Sequence, residues 1–220
     1  MSLKIESSLT DLMTSLAIVF IMLMLALVNS IGNAGKTDIG KIQHELESAL
    51  IEYELACVNN SEKGDPLSCT IVLPKDKLPF APGSPYIDHK GQDYLNKIFP
   101  KIMNVLSNGE IIDSVEGIYI EGFTDDTASD IYNLALSQDR SREVGLHLLI
   151  SVFSIKASVV RRNLLEWMHL NGRGEQDLVL NSKDDIDRGK SRRVEVTIRV
   201  KTLQQREVAE EVIEGEESEI

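Results

Sequence analysis

The stretch Asn133-Leu-Ala-Leu-Ser-Gln-Asp-Arg140 opens a run of residues that predicts a helix from about 131 to 153, with Asp130 as its cap. Four of its side chains are spaced i, i+3, i+4 and i+7 and therefore share one helix face: Asn133, Leu136, Ser137 and Arg140. An amide, a hydroxyl, a guanidinium and one apolar group thus form a single set on this helix.

A strand and a loop come immediately before that helix. The run Val115-Glu-Gly-Ile-Tyr-Ile-Glu121 alternates and predicts a strand, and Gly122-Phe-Thr-Asp-Asp-Thr127 predicts a loop. Further strands are predicted at 70–74, where proline ends the run, and at 193–200, which has the clearest alternation in the chain. These strands would form a small sheet.

Helical spacing recurs around these strands. Helices are predicted over about 39–56, from a cap at Asp88 to about 106, and over about 157–168. Gly172-Arg-Gly-Glu175 predicts a turn, and 181–188 a short helical or irregular piece. Helices interleaved with strands predict an α/β fold, with one helical layer on one face of a small mixed sheet.

A long apolar segment precedes this α/β region. Leu12–Val28 has 17 uncharged residues, and its uncharged flanks extend it to the length that spans a bilayer. We therefore expect a transmembrane helix over 8–31 after a short leader, 1–7. Glu6 and Asp11 near the start, and the lack of a convincing small-x-small cleavage site, argue against a cleaved signal peptide.

Asp11 is the one ionisable residue between Ser7 and Gly35. A charged carboxylate inside the hydrocarbon costs roughly 2.5–3.5 kcal/mol on insertion scales, so it would face protein or water. Thr14 and Ser15 lie one helical turn along on the same face and would accompany it as an ion-carrying set. The alternative is an ordinary acid at the headgroup boundary, near the positive end of the helix.

The two cysteines, Cys57 and Cys69, enclose a polar segment of turn-forming residues. In an oxidising periplasm they would form a disulfide that closes a short loop and contributes about 3 kcal/mol. Two free thiols are the other interpretation. A zinc site would need more ligands than this region offers.

Charge and composition exclude some classes of function. The formal net charge is −12, and the last sixteen residues hold seven Glu and one Arg, which predicts a solvated acidic tail at 202–220. An acidic chain is a poor nucleic-acid binder. The four His residues are scattered and suggest no metal site. Because neither a nucleophile–base pair nor a phosphate loop is visible, we predict no enzyme and no cofactor.

Three stretches together resemble the OmpA-like peptidoglycan-binding domain over about 70–201. They are Ile120-Glu-Gly-Phe-Thr-Asp125, the stretch at 133–140, which matches the family pattern Asn-x-x-Leu-Ser-x-x-Arg, and Gly172-Arg-Gly-Glu175 followed by Ser191-Arg-Arg-Val-Glu195. Phe123 replaces the usual histidine, and Ser191 replaces an asparagine. The remaining segment, 32–69, would be a periplasmic linker with a helix that dimerises, plugs a partner or packs on the domain.

The resemblance implies that the domain holds the diaminopimelate of a peptidoglycan stem peptide. Asp125 would take its ammonium and Arg140 its carboxylate, because an acid and a fork-shaped base suit a zwitterion. The other residues implied are Thr124, Tyr132, Asn133, Leu136 and, as a second cation, Arg193. A surface salt bridge from Arg140 to Asp139 or Glu143, and a core position for Leu136, are the alternatives.

Asp11-Leu-Met-Thr-Ser15 resembles the opening of the single span in MotB-type stator B subunits. The resemblance implies an inner-membrane protein with a cytoplasmic N-terminus and a periplasmic C-terminal domain, which carries H⁺ or Na⁺ at Asp11. Its implied partners are a second copy and a multi-span A subunit of the MotA or ZorA kind, as a pentamer. The short leader and the Tyr132-Asn133 pair most resemble ZorB of the Zorya anti-phage system. A flagellar or gliding motor, or a passive tether without ion transport, are the alternatives.

Overall fold

The computed structural model describes residues 2–153, 158–202 and 204–206, with side chains described for 12–26, 38–150, 161–202 and 204–206. The helices are α1 (Ser2–Leu50), α2 (His89–Leu106), α3 (Asp130–Phe153), α4 (Ser158–Trp167) and α5 (Arg188–Ser191). The strands are β1 (Val58–Asn60), β2 (Asp65–Leu73), β3 (Val115–Gly122), β4 (Met168–Gly172) and β5 (Val194–Val200). Single 3-10 turns occur at Ile51–Tyr53, Ser61–Lys63 and Ile112–Ser114.

The strands form one mixed sheet in the order β1-β2-β5-β3-β4. β5 is its centre, antiparallel both to β2, with Leu73 opposite Val194, and to β3, with Gly122 opposite Val194. β4 runs parallel to β3. The predicted α/β fold with helices on a small mixed sheet is confirmed.

Strand alternation decides which face the helices cover. On β5 the side chains of Val194, Val196, Ile198 and Val200 are buried in the core cluster together with apolar residues of α1, α2 and α3. The residues between them alternate to the other face, where Glu195, Thr197 and Arg199 line an open groove. The sheet therefore has one apolar and one polar face.

Two glycines let the sheet approach α3 closely. A Cβ on Gly122, at the end of β3, would lie 2.2 Å from the Ser137 carbonyl oxygen. A Cβ on Gly172, at the end of β4, would lie 2.5 Å from the Gln138 backbone nitrogen. Larger residues at these two strand ends would push α3 away from the sheet, so the glycines fix the position of its first turns.

The predicted helix over 39–56 forms the end of α1 and packs on the domain. Ile39, Ile42, Leu46 and Leu50 are at most 1% exposed and belong to the core cluster. Of the three roles considered for this helix, packing on the domain is the one the structure displays. The sheet also takes in 58–60 and 65–69, which the sequence assigned to the linker segment.

Within the part of the chain that the structure describes, no helix meets the length and hydropathy expected of a membrane span. The predicted span, 8–31, includes 8–11 and 27–31, whose side chains lie outside the described residues. Its middle section is described: Leu12, Leu16, Phe20 and Leu23 are more than 60% exposed. The predicted acidic tail lies outside the described residues from 207 onward.

Two strands were not predicted. β1 has only three residues, Val58–Asn60, two of them asparagines, so its sequence has no apolar alternation. β4 directly follows α4, and its sequence, Met-His-Leu-Asn-Gly, continues from a helical run without a turn signal. Both are edge strands of the sheet, where pairing with a neighbour outweighs local propensity.

The disulfide between Cys57 and Cys69 is confirmed. Their Cα atoms are 5.3 Å apart, and the bond joins the residue before β1 to the middle of β2. The Gln43 side chain on α1 donates a hydrogen bond to the Cys57 carbonyl at 2.7 Å. The loop, the sheet and the end of α1 are thus tied together.

Candidate functional site

Polar side chains converge where β3 ends and α3 begins. Asp125 follows β3, Asn133 and Arg140 lie on α3, and Arg192 precedes β5. The loop between β2 and α2 covers this end of the sheet, since its Ser84 carbonyl accepts a hydrogen bond from Arg140. The site therefore brings together three stretches that are distant in the sequence: the loop before α2, the β3–α3 region and the residues before β5.

Asp125 is held as an ionised acid. Its carboxylate is 5% exposed and accepts hydrogen bonds from the Thr127 backbone at 3.2 Å and the Thr127 hydroxyl at 2.5 Å. Its second oxygen accepts a hydrogen bond from Arg192. Burial by itself would raise the pKa of Asp125, but the hydrogen bonds from Thr127 and Arg192 outweigh it, so the pKa lies below the ordinary value.

Arg140 is a buried cation, 2% exposed. Its Nε donates to the Ser84 carbonyl at 3.2 Å, and its guanidinium lies over the Phe80 ring at 5.0 Å from the centroid. Burial and, next, the charge of Arg192 lower the pKa of Arg140, while the charge of Asp125 opposes them. The alternative of a surface salt bridge to Asp139 or Glu143 is not what the structure displays, because Arg140 is buried and contacts Ser84 and Phe80.

Asn133 connects the loop after β3 with the turn after β4. Its side-chain nitrogen donates to the Asp125 carbonyl at 3.0 Å, the Ala128 carbonyl at 3.2 Å and the Glu175 carboxylate at 3.0 Å. It therefore fixes the backbone that carries Asp125. Asn133 is 2% exposed, so this is a positioning role.

Thr124, the residue before Asp125, differs from Asp125 and Asn133 in the hydrogen bonding of its side chain. Its backbone nitrogen donates to the Gly174 carbonyl at 2.7 Å, but its hydroxyl is buried and has no hydrogen-bond partner in the described part of the chain. A buried hydroxyl without a partner is costly. Thr124 thus has hydrogen-bonding capacity that a ligand could use.

The remaining residues of the set on α3 differ in exposure. Ser137 is fully buried, and its hydroxyl accepts from the Gly174 nitrogen at 2.8 Å and donates to the Leu134 carbonyl. Leu136 is half-buried, and Tyr132 is 48% exposed. Tyr132 and Leu136 are therefore the more accessible members of the set.

Arg192, rather than Arg193, contacts Asp125. Arg193 bonds to the Glu195 carboxylate at 2.5 Å and to the Asp177 carbonyl at 3.2 Å. Its guanidinium stacks on the Phe123 ring at 4.1 Å from the centroid. The structure thus places Arg193 and Phe123 together, away from the Asp125–Arg140 pair.

The predicted ion-carrying set lies on α1. Thr14 and Ser15 are exposed, whereas the side chain of Asp11 lies outside the described residues. Among the described residues no group of three or more His, Cys, Asp or Glu side chains could hold a metal ion.

The arrangement suits a small zwitterion. Asp125 offers an acceptor for an ammonium, Arg140 a buried donor for a carboxylate, and Thr124 a free hydroxyl, all at one end of the sheet. Charge-assisted hydrogen bonds of this kind are about twice as strong as neutral ones. The site can bind and orient such a group, and nothing in this donor set calls for bond making or breaking.

Comparison with known proteins places this site within a described family. The sequence model of the OmpA family matches residues 79–192, more than half of the 220-residue chain and all of the residues around Asp125 and Arg140. No curated protein matches the chain.

Solved structures resemble the chain in fold. A MotB-like protein from Desulfovibrio vulgaris aligns with TM-score 0.52 and 20% identity, over 80% of this chain and 99% of that one. The periplasmic domain of Helicobacter pylori MotB aligns with TM-score 0.49 and 18% identity, over 74% and 87%. The cell wall anchor of the T6SS from Pseudomonas aeruginosa aligns with TM-score 0.44 and 20% identity, over 72% and 97%. The first of these shows a shared fold.

Proposed function

The chain belongs to the OmpA family, and from this premise we propose that it anchors a membrane-embedded stator to the cell wall. The folded domain binds peptidoglycan through the diaminopimelate of a stem peptide. The ammonium of that residue binds Asp125, and the carboxylate on the same carbon binds Arg140. Thr124 adds a hydroxyl to the same ligand, and Asn133 holds the loop.

The proposal rests on one observation, that the guanidinium of Arg140 is buried without a carboxylate partner in the part of the chain that the structure describes. Its guanidinium is 2% exposed, and no carboxylate of the described residues lies within 4.0 Å of it. A buried charge is normally paired. A ligand carboxylate would supply that missing partner, and the nearby negative charge of Asp125, which acts on Arg140, favours a ligand that carries both charges.

Wall binding is tested by sedimenting the full-length protein with purified sacculi. Arg140→Ala should reduce the bound fraction at least tenfold, since loss of a charge-assisted bidentate contact costs about 1.5–3 kcal/mol. Arg142→Ala is the matched control, because Arg142 lies on the same helix, is exposed and pairs with Asp139. Retention of Arg140→Ala at the wild-type level would remove the site assignment.

The proposal extends to the membrane. Residues 8–31 form the single span, and the exposed apolar side chains of 12–25 contact lipid and partner helices. The chain pairs with a second copy inside a pentamer of multi-span A subunits, as in MotB-type stators. Asp11 carries H⁺ or Na⁺, and the resemblance of the short leader and the Tyr132-Asn133 pair to ZorB favours an anti-phage motor over a flagellar or gliding one.

Ion carriage is tested separately from wall binding. Asp11→Asn keeps the size of the side chain but removes its charge, so ion flux through the complex with its A subunit and phage protection should both be lost. Wall sedimentation of the same variant should equal that of the wild type. A passive tether predicts instead that Asp11→Asn protects as well as the wild type, and that result would end the stator proposal.

A further inference from the structure

A groove of about 600 Å³ lies beside the candidate site. Its wall is apolar and comes from the end of β2 and the segment after β4: Val72, Leu73, Pro74, Leu178 and Val179. Basic side chains border it, namely Lys75, Lys190 and Arg192. We call it the Lys75 groove.

The Lys75 groove has a surplus of positive charge. Five basic and three acidic side chains line it, and each of the acids already has a cation. Asp177 pairs with Lys63 at 3.3 Å, Glu195 with Arg193 at 2.5 Å and Asp187 with Lys190 at 3.8 Å. Among the described residues Lys75 makes no ion pair. The groove is therefore complementary to an anion.

The groove is continuous with the candidate site through one side chain. Arg192 lines the groove and donates to the Asp125 carboxylate. The β2 end that carries Lys75 and the β3 end that carries Asp125 flank the start of β5, because Leu73 and Gly122 both lie opposite Val194. The groove and Asp125 therefore lie at the same edge of the sheet, joined by Arg192.

We infer that the Lys75 groove binds the residue that follows diaminopimelate in the stem peptide, a D-alanine with a free carboxylate. The inference rests on the proposed function of the Asp125–Arg140 site. The methyl group contacts the apolar wall, and the carboxylate pairs with Lys75. The groove thereby favours stems that still carry the fourth residue over stems trimmed to the third.

Calorimetric titration of the full-length protein with two soluble stem peptides tests this inference. One is the tripeptide ending in meso-diaminopimelate, and the other is the tetrapeptide ending in D-alanine. The wild type should bind the tetrapeptide about tenfold more tightly, as expected for one added charge-assisted contact. Lys75→Ala should bring the tetrapeptide to the affinity of the tripeptide and leave the tripeptide unchanged.

Lys77→Ala is the matched control. Lys77 lies two residues further along the same loop, is exposed and pairs with Asp76 at 3.5 Å, outside the groove. It should keep the tenfold preference. Equal affinity of the wild type for both peptides, or equal weakening of both by Lys75→Ala, would overturn the inference alone. If the wild type bound neither peptide, the wall-binding proposal and this inference would both fail.

Discussion

Asp125 interacts with two cations, one by direct contact and one through its charge. Arg192 bonds to its carboxylate directly, and Arg140 lies near enough for the charge of Asp125 to raise its pKa against the effect of burial. The acid is therefore charged and oriented before a ligand arrives. Under the proposed function, a ligand ammonium would share the Asp125 carboxylate with Arg192.

The pKa of Asp125 gives a prediction at this scale. Removing the bond from Arg192 should raise that pKa, because this bond helps to hold it below the ordinary value against burial. Arg192→Ala therefore shifts the Asp125 carboxyl titration, followed by carbon NMR, to higher pH. Arg188→Ala is the control, since Arg188 pairs with Asp126 at 2.7 Å and should shift Asp126 instead.

The direction of the pKa shift of Asp125 also determines how the stability of the folded protein depends on pH. Since folding lowers the pKa of Asp125, the stabilisation by its contacts is complete above the unfolded value and disappears as the pH falls through the folded value. In Arg192→Ala, where the folded pKa of Asp125 is higher, this loss of stability should be smaller and should be complete at a higher pH than in the wild type. Identical titrations of Asp125 in both proteins would contradict the assigned contact.

The identity of the arginine that contacts Asp125, Arg192 or Arg193, shows how much of the site could be predicted from the sequence. The motif implied Arg193, yet alternation along β5 puts Val194 on the helical face and so Arg193 on the opposite one. That signal was present in the sequence. The hydrogen bond from Arg192 to Asp125, by contrast, depends on how two loops that are distant in the sequence pack together, and no local sequence pattern predicts it. The charge of Asp125 acts on Arg140, so the two residues lie in one region of the fold, and their role in binding stays a prediction.

At the scale of elements, the end of α1 is part of the domain. Helical spacing predicted its inward face, and Ile42, Leu46 and Leu50 are indeed fully buried. The ion pair between Asp38 and Arg206 adds a polar contact from the residues after β5 to this helix. The edge strands β1 and β4 were not predicted from the sequence, because short edge strands form through pairing with their neighbours rather than through their own sequence pattern.

A substitution on α1 tests this packing. Leu46→Ala should lower the free energy of unfolding by about 2–5 kcal/mol, because it leaves a cavity in the core. Glu47→Ala, at the neighbouring exposed position, should change it by less than about 0.5 kcal/mol. Denaturation of the full-length protein can be followed by fluorescence of Trp167, the one tryptophan, which is 8% exposed. Equal stability of both variants would show that α1 does not belong to the core.

At the scale of the whole molecule, one continuous helix, α1, joins the apolar segment to the core of the domain. The candidate site lies at the end of β3 and the start of α3, on the elements that the two close glycine contacts hold in place. A force on the domain would pass to α1 through the buried core and the disulfide between Cys57 and Cys69. Under the proposed function, this layout would transmit load between the wall-binding domain and the apolar segment.

The most direct measurement compares two stem tripeptides that differ only in their third residue. Meso-diaminopimelate carries an ammonium and a carboxylate on its side-chain carbon, whereas lysine carries the ammonium alone. Calorimetry with the full-length protein should give at least tenfold tighter binding of the diaminopimelate peptide, and Arg140→Ala should abolish that difference. Equal affinity of the wild type for both peptides would contradict zwitterion binding by Asp125 and Arg140.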